Sequence, residues 1–172
     1  MSQFEFTLTL FSILIAVIFG RLVSTLSSIT SRTADYQHVG WLFVLLLNLL
    51  LSYWLFWESR NDATTFAEYV ALLTTGGLLI YAVCLLTPSA VQDDWHGYFD
   101  GVRARFYMGY GGHFASDTLF EFLLHRDVSA NWIPIGLCIF GALVPDKRAQ
   151  WLTLSLFLLT FTLVYGRLIM QS

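Results

Sequence analysis

The sequence predicts an all-α protein: a polytopic bundle of six transmembrane helices forming a single domain over residues 1–172. Two observations carry that expectation. Of the 172 residues, 56% are hydrophobic and only 12% are charged, where a soluble domain carries about 25% charged residues. With a mean hydropathy of +0.64, lipid is the expected main solvent. The second observation is segmentation. Apolar runs close to the length of a crossing, about 20 residues at about 1.5 Å each, alternate with short polar stretches.

The first span covers residues 4–26, within MSQFEFTLTLFSILIAVIFG and its continuation. A secretory signal has a basic start and a small-residue cleavage site. Here Glu5 precedes the apolar run and Arg21 follows it, so a retained span is expected. The Ser/Thr-rich stretch STLSSITSRTADYQ leads to the second span, 39–57. Trp41 lies near one end of it, and Tyr53, Trp54 and Trp57 near the other, the pattern of aromatic belts at two interfaces. The third span, 65–87, stops at Pro88, and the sixth covers 150–170.

Two elements are less regular. The fifth span, 131–145, has an apolar centre of about 13 residues, which reaches only about 20 Å as a helix. Pro134 sits in its first turn and Pro145 at its exit, where proline is tolerated. A re-entrant segment is the alternative. The fourth span, 105–124, is long enough to cross but carries three glycines and several ionisable groups. If it does not cross, the layout is five spans plus one interfacial or re-entrant helix.

Charge favours six. The loops after spans one, three and five then hold Arg32, Arg103, Arg105, Lys147 and Arg148, with Arg21 near the same side. The other side holds Arg60, Arg126 and Arg167. An excess of basic residues marks the cytoplasmic side, so both termini are expected on the non-cytoplasmic side of the membrane. Five spans would move Lys147 and Arg148 beside Arg60 and erase the bias. The net charge of −3, with basic residues scattered, excludes a nucleic-acid partner. The expected partner is the lipid bilayer, with a homo-oligomer or a larger membrane complex beyond it.

Functional chemistry concentrates in FYMGYGGHFASDTLFEFLLHR, residues 106–126. Its Gly-Tyr-Gly invites comparison with a potassium filter, which exposes rings of backbone carbonyls. Such a filter follows an apolar pore helix. Here DDWHGYFDGVRARF precedes it, and Tyr107 and Met108 replace the usual Thr-Val. The filter reading fails. Gly109 and Gly112, three residues apart, instead share a helix face and admit a close neighbour. A local unwinding that opens a cavity is the alternative.

On a helix advancing about 100° per residue, His113 at zero places Asp117 at about 40°, Tyr110 at about 60°, and Glu121 and Arg103 at about 80°. Five polar residues thus fill about a quarter of the circumference. Phe114, Ala115, Leu119 and Phe122 fall outside that arc. A charge at bilayer depth costs about 2.5–3.5 kcal/mol on insertion scales, so intramembrane ionisable residues are candidates for function. The expected role is a proton, ion or small-solute pathway, in which His113 shares or relays a proton beside two carboxylates. The structural alternatives are that Asp117 pairs with an Arg of another helix and His113 donates to a backbone carbonyl, or that the segment lies flat at the interface.

His113 and Asp117 at i, i+4 are weak candidates for a metal. Three ligands on one straight helix seldom converge on one ion, so His96 or His38 would have to join. His96 lies in DDWHGYFD, where a solvated acidic loop is expected, and His38 and His125 read as interface residues. Cys84 and Cys138 sit in apolar runs without metal-site spacing and read as small hydrophobes. No Gly-rich phosphate loop precedes a helix, and the cofactor question stays open on the sequence. Ser116 and Asp117 are neighbours that point about 100° apart, so they do not form a nucleophile–base pair. An intramembrane enzyme therefore ranks last, behind a non-catalytic accessory or assembly subunit of a larger membrane complex. Asn48, alone in the apolar second span, is expected to bridge helices, and Arg167 to snorkel.

With the spans placed, the chain resembles a family of short polytopic bacterial inner-membrane proteins that have no assigned activity. YQHVGW at 36–41, TFAEYVALLTTGGLLIYAVCLLTP at 65–88 and YFDGVRARF at 98–106 carry the resemblance. It implies a bacterial inner-membrane location and a six-helix layout, and carries over no functional residue. Within 107–121 the chain departs from that family, where a plainly apolar helix is the pattern.

Overall fold

A computed structural model of the chain describes residues 3–29, 35–58, 65–89, 92–124 and 131–171. Those residues form six α-helices and no strand: α1 (Gln3–Ser28), α2 (Tyr36–Glu58), α3 (Phe66–Leu86), α4 (Trp95–Leu123), α5 (Trp132–Leu143) and α6 (Lys147–Gln171). The all-helical fold is as expected. Arg32, Arg60, His125 and Arg126, and the side chains of Trp54, Trp57 and Arg167, lie outside the described residues.

Short polar side chains decide where the helices begin. Asp35 Oδ1 accepts from the Gln37 amide at 3.1 Å at the start of α2. Thr65 and Glu68 form a reciprocal capping box on α3, with Thr65 N–H to Glu68 Oε2 at 2.8 Å and Glu68 N–H to Thr65 Oγ1 at 3.3 Å. Asp146 Oδ2 accepts from the amides of Arg148 and Ala149 and so starts α6. At the far end of α3, Thr87 leaves helical geometry at φ −119°, ψ 74°, as a residue before proline must.

The fourth helix begins ten residues earlier than the expected 105. Asp94 Oδ1 accepts from the Gly97 amide at 2.9 Å and nucleates α4 at Trp95. DDWHGYFD is therefore not a solvated loop. Trp95, Phe99, Val102 and Phe106 repeat at helical spacing and are all buried, while Asp93, Asp94 and Asp100 are exposed. The charges masked an amphipathic turn. The glycines of 109–112 do not unwind the helix either, since α4 runs unbroken to Leu123.

Helix ends meet in an alternating pattern. Tyr98, near the start of α4, donates to Leu85 O at the end of α3 at 2.7 Å. Arg103 of α4 reaches the end of α5, and Asp117, near the end of α4, meets Asn131 at the start of α5. The described helices thus run up and down, with α4 packed most extensively on α3 and then on α5. The core is aromatic. Trp41, expected in an interfacial belt, is fully buried, edge-on to Phe106, Tyr107 and Phe157 at ring separations of 5.2, 5.3 and 5.1 Å. Edge-to-face geometry satisfies the ring quadrupoles, so an indole one turn into α2 packs inward. His38 is likewise buried rather than interfacial, its ring 4.9 Å from that of Trp95.

Several polar residues share the interior with the aromatic core, and many large apolar side chains face outward. Gln37, His38, Asn48, Thr75, His113 and Gln150 are buried, while many Leu, Ile, Phe and Trp side chains on the outer faces are exposed. Among the described residues one stretch, Tyr36–Tyr53, is long and apolar enough to cross a membrane. Ser12–Ser28, Val70–Leu86 and Trp132–Leu143 are shorter apolar stretches.

Close approach between helices runs through glycine. A Cβ on Gly141 would stand 2.5–2.8 Å from ring atoms of Tyr107, which is fully buried and hydrogen-bonded to Gln150. A Cβ on Gly101 meets nothing within 4 Å. Gly141→Ala is therefore expected to destabilise by about 1–3 kcal/mol, whereas Gly101→Ala should be neutral or stabilising by up to about 1 kcal/mol. Unfolding midpoints of the purified variants test this, and equal midpoints would show that the Tyr107 ring can yield.

Candidate functional site

The five stripe residues lie within one arc of α4 but at different heights along it. Arg103 is at the α5–α6 corner. Its Nη1 donates to the carbonyls of Gly141 at 2.6 Å, Val144 at 3.2 Å and Ala142 at 3.4 Å. Gln150 joins it, donating through Nε2 to Gly141 O at 2.9 Å and to Val144 O, and accepting from Tyr107 Oη–H at 2.6 Å. A cation on the last carbonyls of a helix complements its dipole. Arg103 thus caps α5.

Tyr110 and His113 lie deeper, and the structure brings them together. Their rings are parallel within 2°, with centroids 6.1 Å apart. His113 is only 4% exposed. Its Nδ1 is 3.0 Å from Thr75 O on α3, and its Nε2 is 3.2 Å from Asn48 Nδ2 on α2. A carbonyl only accepts, so Nδ1 carries the proton, and in the neutral ring Nε2 accepts from Asn48. Three helices meet on one imidazole. The expected donation of His113 to a backbone carbonyl and the expected bridging by Asn48 are both present in this node.

Beside it, Thr75 Oγ1 and Ser116 Oγ are 2.9 Å apart, and both reach Ala71 O, at 3.0 and 3.3 Å. Each hydroxyl has one proton, so a consistent arrangement is Thr75 donating to Ser116 and Ser116 to the carbonyl. One turn further, Asp117 Oδ2 accepts from Asn131 Nδ2 at 3.0 Å. Among the described residues the partner of Asp117 is therefore an amide at the start of α5, where the sequence offered an arginine of another helix as the alternative. Glu121 is half-buried another turn out. Ser116, Asp117 and Glu121 all retain partial exposure.

Between Arg103 and His113 aromatic rings pack against one another. Ten residues of helix, about 15 Å, separate them, and Phe106, Tyr107 and Tyr110 fill that interval against Trp41 and Phe157. The row of polar groups from Glu121 to His113 thus ends against an aromatic layer.

The glycines serve packing on two sides. A Cβ on Gly109 or Gly112 would meet Tyr81 or Leu78 of α3, and one on Gly111 would meet Cys138 of α5. Cys138 is buried, and Cys84 lies 3.5 Å from Arg21 Nη1. His96 Nδ1 lies 3.3 Å from Asp35 Oδ2, tying the start of α2 to the start of α4, and its Nε2 lies 3.5 Å from Asp100 Oδ2 on the same helix. Among the described residues no group of three His, Cys, Asp or Glu side chains could hold a metal ion, and His113 and Asp117 have separate partners.

Sequence reasoning missed Thr75, Gln150 and Asn131. Each is a small polar residue whose partner lies on another helix, so no spacing within its own segment marks it. The node predicts coupling between α2 and α4. A double-mutant cycle over Asn48→Ala and His113→Ala should return an interaction energy of about 0.6–1.7 kcal/mol, the range found for hydrogen bonds between membrane helices. Additive single-variant effects on unfolding would break the link. The chain matches no family model, no curated protein and no solved structure, so its function has to be read from these residues.

Proposed function

We propose that the chain is an integral membrane protein whose six helices cross the bilayer of a bacterial inner membrane. On this reading His113 and Asp117 form a protonatable site reached from the Glu121 end. The many large apolar side chains exposed along the helices, among them Ile13, Val17, Phe43, Leu73, Ile139 and Leu159, support the membrane setting. Arg21, Arg103, Arg105, Lys147 and Arg148 gather at the end where α4 and α6 begin, which supports that end as cytoplasmic and both termini as non-cytoplasmic.

The observation that carries the site is the His113 node at mid-depth, one turn from Asp117. Buried ionisable groups facing protein rather than lipid are the usual components of proton relays in membranes. The aromatic layer below Tyr110 blocks a continuous polar path among the described residues. The site is therefore one-sided in this conformation, and transport through it requires the layer around Phe157 and Trp41 to move.

Asp117→Asn keeps the hydrogen bond from Asn131 sterically available but removes the titrating carboxyl. Proton or cation flux in proteoliposomes is expected to disappear while the unfolding midpoint holds. Arg103→Gln should do the reverse, preserving flux while losing about 1.5–3 kcal/mol of stability, the value of a charge-assisted hydrogen bond. Unchanged flux in Asp117→Asn rejects the pathway.

The same aromatic layer favours a second reading, a non-catalytic accessory or assembly subunit of a larger membrane complex, or a homo-oligomer. A packed interior with a wide apolar exterior suits a chain that binds other helices. Native purification in mild detergent distinguishes the two: comigration with other subunits favours the accessory role, and migration as a monomer counts against it. An intramembrane enzyme has the weakest support, because Ser116 faces Thr75 and a carbonyl, neither of which is a base.

A further inference from the structure

We infer that the face of the bundle formed by α5 thins the bilayer locally, so that both ends of this helix meet water at depths where the neighbouring helices are still in hydrocarbon. The inference rests on the membrane reading above and deepens it.

Helix α5 has 12 residues, and a helix of that length spans about 18 Å. The hydrocarbon core of a bilayer is about 30 Å thick. The shortfall is not made up by extending the helix at its C-terminal end, because that end is fixed. At the C-terminal end the carbonyls of Gly141 and Val144 are bonded to Arg103 and Gln150. Pro145 follows, and Asp146 at once caps the next helix. At the other end Asn131 is bonded to Asp117.

The residues around α5 agree with a thin belt. Lys147 and Arg148 are exposed directly after it, and charged side chains are not stable at hydrocarbon depth. On α4 the interval between Arg105 and Asp117 holds no Asp, Glu, Lys or Arg; it covers about 18 Å. Within this short interval the outer surface of α5 is apolar, with Trp132, Ile133, Ile139, Phe140 and Leu143 exposed. Trp132, at 65% exposure, stands at the first residue of the helix, the place where indoles settle at an interface. By contrast α2 offers an apolar stretch of 18 residues, about 27 Å, which needs almost no adjustment. A belt shorter than the hydrocarbon is accommodated by thinning the lipid beside it.

The occupant of this face is lipid with its headgroups drawn inward, and nitroxide labels can locate it. In a Cys84→Ser, Cys138→Ala background, single cysteines replace Ile133 and Leu143 near the two ends of α5. Others replace Phe43 on α2 and Leu159 on α6, which are exposed apolar positions within their helices. The full chain is reconstituted in oleoyl phosphatidylcholine vesicles, and collision with a water-soluble nickel chelate is compared with collision with oxygen. The expected result is chelate access at both Ile133→Cys and Leu143→Cys, severalfold above that at Phe43→Cys and Leu159→Cys. Equal protection at all four positions overturns the thinning while leaving the membrane reading standing. Equal high access at all four overturns the membrane reading itself.

Discussion

Helix α3 runs out at Leu86 with carbonyls that have no partner inside it, and α5 does the same at Leu143. Every helix leaves such groups at its C-terminal end, and burying them unpaired is costly. Here other helices supply the donors. Arg21 of α1 reaches Thr87 O at 2.6 Å and Tyr98 of α4 reaches Leu85 O at 2.7 Å. Arg103 of α4 and Gln150 of α6 take the carbonyls of Gly141 and Val144. Each contact satisfies backbone and also fixes the height of one helix against another. With α3 and α5 held in register on α4, the glycines at 109, 111 and 112 fall opposite Tyr81, Cys138 and Leu78, and the aromatic layer closes over Trp41.

The division of the α4 stripe follows from that register. A helical wheel preserves azimuth and discards height. Arg103 and Glu121 project at the same angle, yet 18 residues of helix, about 27 Å, lie between them. Arg103 has the carbonyls of α5 within reach and becomes a cap. His113, at the height of Asn48 and Thr75, becomes the junction of three helices. Asp117 meets the amide that opens α5. The composition of the stripe was readable in the sequence, but the partners that give each member its chemistry come from α2, α3, α5 and α6.

The same reasoning separates what was legible from what was not. Six helices were legible because Pro88, Pro134 and Pro145 and the polar caps punctuate long apolar runs. The short fifth element was visible as such. The start of α4 was not, because Asp93, Asp94, His96 and Asp100 look like a loop until their spacing against Trp95 and Phe99 is counted around a helix. Trp41 was misplaced for a related reason. A tryptophan near the end of an apolar run reads as an interfacial anchor, whereas this one has Phe106, Tyr107 and Phe157 at its edges. Those rings are brought to it only by the tertiary fold. Ser116 was set apart from Asp117 by its angle, and its hydrogen-bond neighbour, Thr75, is 41 residues away.

The short helix and the polar row converge on a single joint. Asn131 is both the residue that opens α5 and the donor to Asp117. If the lipid beside α5 is thinned, water stands at the height of that joint, and the path from water to His113 shortens to one turn of α4, about 5.4 Å. Titratable groups that would be isolated in the middle of a thick bilayer are then within reach of solvent from one side. On either side of His113 along α4, Tyr110 and Phe114 pack on Phe157. On the proposed membrane reading, the asymmetry of the site follows from the unequal lengths of α4 and α5, the one 29 residues long and the other 12.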